Sequence, residues 1–257
     1  MTISVATASL VDLLTDALHT AAPHTGGVHL SSHRAPWKEE PGDVDLLAAT
    51  STTGSVVGHM WIPVEGNLTS AVWPVGSTTT ALGVLRRLAK KGDNHSVDID
   101  MYQADPPENL KEGEHPGWIV TIAETSALFD SDTEFQFHAH DASKFPLRRA
   151  GMLLRGQILK ADDDEEDYAA TPLTLWSAGV MGPLVKVAKR RGGTIRLFRS
   201  SDQRTQLVQI GDTWIGAAYP SPPLPGEPKD APSIEPVLDG GESAAGQTTI
   251  DDEQPGD

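Results

Sequence analysis

The chain has no cysteine among its 257 residues. That excludes a disulfide framework, a thiol nucleophile and any metal site built on thiolate, and it suits a reducing cytoplasm. No apolar run approaches the roughly 18 residues that a membrane-spanning helix needs. Met1-Thr-Ile-Ser-Val-Ala-Thr7 has neither the charged start nor the apolar centre of a secretory leader, so a cytoplasmic protein with no membrane association is expected. There is no phosphate-cradling glycine loop and no G-x-S-x-G elbow. Cations are scarce: 20 Lys and Arg stand against 36 Asp and Glu, for a net charge of -16. Taken as an average, such acidity argues against nucleic acid as a partner. The average conceals an uneven distribution.

Twelve of the 20 basic residues fall in three short stretches. Two of these are copies of one pattern. Gly83-Val-Leu-Arg-Arg-Leu-Ala-Lys-Lys-Gly92 recurs 99 positions later, beginning Gly182-Pro-Leu-Val-Lys-Val-Ala-Lys-Arg-Arg191. Each follows a β-rich run ending in tryptophan (Trp73, Trp176) and leads into a strand, which marks two similar modules. On a helical wheel Arg86, Arg87, Lys90 and Lys91 share one arc, opposite Ala81, Val84, Leu85 and Leu88. In the second copy Lys186, Lys189 and Arg190, followed by Arg191, oppose Val180, Met181, Leu184 and Val187. The third stretch carries Lys144, Arg148, Arg149 and Arg155. No acidic residue occurs within 68–92, 142–161 or 168–201. A basic helix face in an acidic chain fits duplex phosphates, bound without sequence preference; the plainer alternative is a solvated amphipathic face.

Periodicity predicts an α+β fold. In the first module, 1–132, a strand at 3–6 precedes a helix capped by Ser9; strands near 28–32, 44–49, 56–62 and 70–75 lead to the first basic helix, then strands at 97–101 and 118–123. The second module, 133–220, opens with the alternating Phe135-Gln-Phe-His-Ala-His140 and a helix capped by Ser143. Strands at 157–160 and 172–176 precede the second basic helix, and strands at 194–198, 206–210 and 214–219 close the unit. Each module thus reads strand–helix–strands–helix–strands, the second about 35 residues shorter between its helices. The segment 221–257 holds seven prolines, nine acidic residues and one lysine, without apolar periodicity, and is expected to be a disordered acidic tail.

This arrangement resembles the DNA sliding clamps, the processivity rings of replicative polymerases. Lys144-Phe-Pro-Leu-Arg-Arg149 is similar to a Phe-Pro segment before a helix in bacterial clamps, and Trp214-Ile-Gly-Ala-Ala-Tyr-Pro220 to the closing clamp strand. The resemblance covers 1–220. It implies two clamp-like modules with helices lining a bore, no catalysis and no cofactor. Its partners would be duplex DNA, a polymerase and a clamp loader. Clamp rings contain six domains, so two modules imply a homotrimer. In clamps the connector between modules overlies a pocket for client peptides, which makes Leu128 and Phe129, with Tyr219 and Pro220, candidates for that pocket. The Ala-, Gly-, Thr- and Asp-rich composition suits a GC-rich bacterium or its phage. A clamp-fold accessory or decoy that does not close is the alternative.

Other constellations are weaker. His138-Ala-His140-Asp141 places two imidazoles on one face of a strand, as a metal-dependent hydrolase could use, but supplies no third ligand; no metal is expected. The acidic run 162–167 lacks the spacing of a calcium loop. Asp12 and Asp16, on the opening helix, are the wrong sign for a bore.

Overall fold

The computed structural model describes residues 2–38, 40–92, 94–106, 110, 114–125, 134–155, 174–199 and 205–221. Strand β1 (Thr2–Ala6) runs directly into helix α1 (Thr7–His19). Then come β2 (Val28–Pro36), β3 (Asp43–Thr52), β4 (Val56–Pro63), the two-residue β5 (Glu65–Gly66), β6 (Ala71–Trp73) and α2 (Val75–Leu88). After α2 come β7 (Ser96–Gln103), β8 (Trp118–Glu124), β9 (Glu134–Asp141) and the short α3 (Leu147–Leu154). The chain closes with α4 (Ala178–Arg191), β10 (Ile195–Arg199), β11 (Gln206–Ile210) and β12 (Trp214–Ala218). The α+β expectation holds, with strands and helices close to the positions read from periodicity.

The caps differ from expectation. Helix α1 begins two residues before Ser9, with Ala6 at its N-cap and no side-chain capping bond. Ahead of α3, Asp141 rather than Ser143 is the cap: its carboxylate accepts from the Ser143 amide and holds a short 3-10 turn, and Pro146 ends the extended stretch before Leu147. The expected strand at 157–160 lies outside the described residues, as do 172 and 173; the described remainder of the strand expected at 172–176 is no strand but a single bridge, Leu175 to Ser221.

All strand pairs are antiparallel and make one continuous sheet, in the order β10-β11-β12-β4-β3-β2-β6-β9-β8-β7-β1-β5. Two joints matter. Strand β9, expected to open the second module, pairs with β8 from Trp118↔Ala139 to Ala123↔Glu134 and touches β6 through Val72↔His140. Strand β12 pairs with β4 from Trp214↔Met60 to Ala218↔Val56, so the last of the described strands extends the sheet of β2, β3 and β4. At its centre Gly216 faces Gly58. A Cβ at Gly58 would come within 3.0 Å of the Trp214 ring, and one at Gly216 would overlap that ring. The fully buried indole therefore lies flat across both glycines.

Alternation sorts the side chains of this joint onto two faces. Val28, Leu30, Leu47, Ala49, Val56, Met60, Trp73, Trp214 and Ala218 point to the main core, shared with Leu10, Leu13 and Leu14 of α1, Leu82 and Leu85 of α2, and Leu184 and Val187 of α4. The intervening Val57, Val72 and Ala217 point the other way and are covered by Phe145, Ala150 and Leu153. Helices α1, α2 and α4 thus occupy one face of the sheet, and α3 the other. None of the helices among the described residues is long and apolar enough to cross a membrane.

The α3 face also buries His29. Its ring stacks on Phe145 at 5.5 Å, and neither ring nitrogen has a hydrogen-bond partner among the described residues. Burial, with the His33 charge, pushes its pKa down to about 4; burial does the same to His59, with help from His33 and His29. Above pH 6.5 both rings are neutral in either state. Between about 6.5 and about 4 the unfolded chain takes up protons that the folded chain refuses, so stability falls with pH. The decline is about 1.4 kcal/mol per pH unit for a fully coupled histidine, and it levels off below about 4. Urea midpoints across that window should fall, and His29→Gln should flatten the fall; an unchanged slope would refute this account.

Candidate nucleic-acid interface

Helix α1 lies between the two basic helices, packing on α2 along one side and on α4 along the other. Helix α2 starts after Pro74, where a missing amide proton costs nothing, and runs into a 3-10 turn, Ala89–Lys91. Its bases therefore gather at a C-terminus, where the helix dipole favours cations. Helix α4 does the same: Lys189, Arg190 and Arg191 fill its last turn, and Gly192, in the left-handed conformation (φ 61°), ends it with its N–H donating to the Lys189 carbonyl oxygen. On both helices the leucines face inward: Leu85, Leu88 and Leu184 are buried.

The basic residues have different fates. Arg87, Lys90, Lys186 and Lys189 are exposed and have no carboxylate within ion-pair distance among the described residues. Arg86 is exposed and donates to Thr15 Oγ1 at 3.2 Å across the α1–α2 seam. Lys91 is held by Glu124 at 2.6 Å. Arg190 and Arg191 turn inward. Arg190 binds both oxygens of Asp16 and reaches Asp12 Oδ1 at 2.8 Å, while Arg191 Nε meets Asp16 Oδ2 at 2.7 Å and its Nη1 donates to Thr213 at 3.1 Å. Burial works against the Arg190 charge, but the bonds and charges of Asp16 and Asp12 outweigh it and hold its pKa above the ordinary arginine value. The carboxylates that looked misplaced in a bore are thus neutralised by the second basic helix.

Charges from the two basic helices reach one region. His19, at the C-terminus of α1, has its pKa lowered first by burial; Asp16 opposes this, and the charges of Lys186, Arg190 and Arg86 add to it. Bases from both copies of the repeat therefore converge on the end of α1. A Cβ at Gly76, Gly83 or Gly182 would meet nothing within 4 Å. A helical surface that presents exposed lysine and arginine can take a polyanion without base-reading side chains.

The third basic stretch is elsewhere. Lys144, Arg148, Arg149 and Arg155 are exposed around α3, across the sheet from α2 and α4, with Lys144 paired to Glu114 at 3.6 Å. Of the proposed client pocket, Tyr219 and Pro220 are half-buried, and Tyr219 packs against the α3 cluster. Leu128 and Phe129 lie outside the described residues, as does the acidic run 162–167. A separate cleft of about 800 Å³, lined by Pro36, Trp37, Lys38, Glu40, Trp61, Asp212 and Thr213, is open to solvent.

Two constellations have catalytic overtones. His138 and His140 stand on the exposed side of β9 while Phe137 and Ala139 are buried, and among the described residues no group of three or more His, Asp or Glu could hold a metal ion. Thr7 Oγ1, His95 Nδ1 and Glu124 form a relay at 2.7 and 2.8 Å that no sequence motif signals. Its order is that of a hydrolase, but Thr7 is fully buried, so the relay pins the start of α1 to β7 and β8.

Comparison with known proteins bears on the fold. No protein-family model matches the sequence, and no curated protein does. Solved structures do: the DNA polymerase III subunit beta sliding clamp of Bartonella birtlesii aligns over 92% of this chain at 11% identity, with a TM-score of 0.52. The DNA polymerase III subunit beta of Pseudomonas aeruginosa aligns over 93% at 12% identity (TM-score 0.54), and the DNA polymerase sliding clamp of Caulobacter crescentus over 88% at 11% (TM-score 0.50). This chain spans 66%, 68% and 67% of their respective lengths. It has a clamp-like fold.

Proposed function

We propose that the chain is a non-enzymatic DNA clamp: three copies close a ring around duplex DNA, and the ring tethers a replicative polymerase after opening by a loader. It would work in the cytoplasm of a bacterium, for that cell or its phage. The observation that carries this reading is the approach of Arg86 from one basic helix and Lys186 from the other to the end of α1, whose own carboxylates are neutralised, with Arg87, Lys90 and Lys189 exposed on the same two helices. Two modules spanning about two thirds of the bacterial clamps it resembles support a trimer, which restores six domains. Weak, sequence-independent phosphate contacts inside a closed ring permit sliding, because topology rather than affinity retains the DNA.

The exposed edge strand β10, where Leu197 is 40% and Phe198 51% exposed, supports a second reading, a clamp-fold accessory that does not close. Native mass spectrometry separates the two. A ring should appear as a trimer of the 27.4 kDa chain and dwell much longer on circular than on linear duplex DNA, since it leaves by sliding off an end. A monomer at tens of micromolar, or dwell times indifferent to DNA ends, overturns the ring.

A further inference from the structure

The two basic helices flank a side chain that no bond accounts for. His19, in the last turn of α1, is half-buried and makes no hydrogen bond among the described residues. We propose that its imidazole is a phosphate contact of the α2–α4 face, charged only while duplex DNA lies across it, so that binding takes up a proton from solvent. The inference rests on the DNA-binding reading, though not on closure of a ring.

Position comes first. Asp12, Thr15 and His19 follow one another at helical spacing, so they form a line along α1 on the side turned away from its buried Leu10, Leu13, Leu14 and Ala17. The basic helices reach this line from opposite sides. Arg190 of α4 bonds Asp12 and the neighbouring Asp16, and Arg86 of α2 bonds Thr15 at 3.2 Å. His19 is the next member of the line, one turn beyond Thr15. It is not needed as a helix cap either. Ala17 O, at this end of α1, already accepts from the Thr20 amide at 3.1 Å and from Ser51 Oγ at 2.8 Å.

Charge then decides what the ring can meet. It is faced by Asp16 of its own helix, by Lys186 and Arg190 of α4, and by Arg86 of α2. Asp16 favours the imidazolium but is already bonded to Arg190 and Arg191, as Asp12 is to Arg190. Burial, joined by the three cations, prevails over Asp16 and holds the His19 pKa below the ordinary histidine value. A phosphodiester lying between Arg86 and Lys186 reverses this balance. It offsets the two cations and puts an anion beside the ring, and both changes raise the pKa. Above the pKa of the bound state the ring is neutral with or without DNA, and affinity does not depend on its titration. Between the bound and free values affinity climbs as pH falls, by at most about tenfold per unit for one proton, and it levels off below the free value. Lysine and arginine alone give no such dependence near neutrality.

The full-length chain tests this without any substitution. With its histidine ring protons followed by NMR, a short duplex should raise the His19 titration midpoint by about one unit. His138, exposed on β9 across the sheet from α1, should keep its midpoint. Affinity for the same duplex at fixed salt should rise several-fold between about pH 8 and about pH 6. His19→Gln should remove that gain, and His19→Lys, a permanent cation, should bind tightly at both ends of the range. A His19 midpoint that the duplex leaves in place, or a gain that survives His19→Gln, overturns the proposal while leaving the DNA-binding face intact. A duplex bound at neither pH, by the natural chain or by His19→Lys, overturns the DNA reading itself and this contact with it.

Discussion

Asp16→Ala is expected to destabilise the fold by about 3–5 kcal/mol, the range for removing one partner of a buried ion pair. Asp16 is fully buried in α1 and accepts from both Arg190 and Arg191, whose side chains are only 23% and 17% exposed. Without it, two guanidinium groups stay largely out of water with little to balance them, and α4 loses its tie to α1. Asp16→Asn should recover part of the loss, because the amide oxygen can still accept a bond. Asp12→Ala removes only a rim charge, 65% exposed, and should cost less than about 1 kcal/mol. Urea unfolding of the three variants measures this ordering. If Asp16→Ala is no worse than Asp12→Ala, the cluster does not hold α4 to α1.

Neutralising Arg86, Arg87, Lys90, Lys186 and Lys189 to alanine is expected to abolish most DNA retention with little change in stability. Each lost phosphate contact lowers the slope of log affinity against log salt by roughly 0.9, so five contacts amount to about 4–5 units. Between ~50 and ~200 mM salt a protein relying on them should lose on the order of 10²–10³ in affinity, and the variant should lose almost none. The fold should persist because Leu85, Leu88, Leu184 and Val187 bury the opposite arcs. Arg190 is excluded from this set, since its bonds to Asp16 make it a stability residue. Matched changes at the exposed Arg34 and Lys38, outside the helices, are the control. Equal effects from both sets would mean that the basic helices are ordinary solvated faces.

Much of this architecture was legible in the sequence, for reasons that also mark the limit. Periods of 2 and 3.6 located the strands and helices, because each element must turn its apolar side to one core. The outward bases of α2 and α4 could be read on a wheel, since Leu85 and Leu184 define the inner side. Asp16 could not be read that way. It lies 174 residues from Arg190, and nothing local distinguishes a carboxylate exposed in a bore from one enclosed by a distant helix. The position of α3 was hidden for a related reason. Periodicity says which side of a helix is buried, not which face of a sheet buries it, so its arginines resembled those of α2 and α4. The pairing of β9 with β8 was equally invisible, because alternation places a strand in a sheet without naming its neighbour.

The splice of β12 onto β4 has a consequence for biogenesis. The strands from β1 to β9, with α1 and α2, are complete once residue 141 is made, but the outer edge of β4 then has no partner. At ordinary elongation rates roughly ten seconds pass before Ala218 is made. During that interval an edge bearing Val56, Val57 and Met60 is a template for other nascent chains, the situation in which β-proteins aggregate. Gly58, in the middle of that edge, is a poor template residue, and it is also the shelf on which Trp214 finally rests. Docking of the last strand should therefore limit the overall rate of folding, because it joins positions more than 150 residues apart. A chaperone that shields β4 until synthesis ends would raise the yield of this protein more than one acting on any other strand.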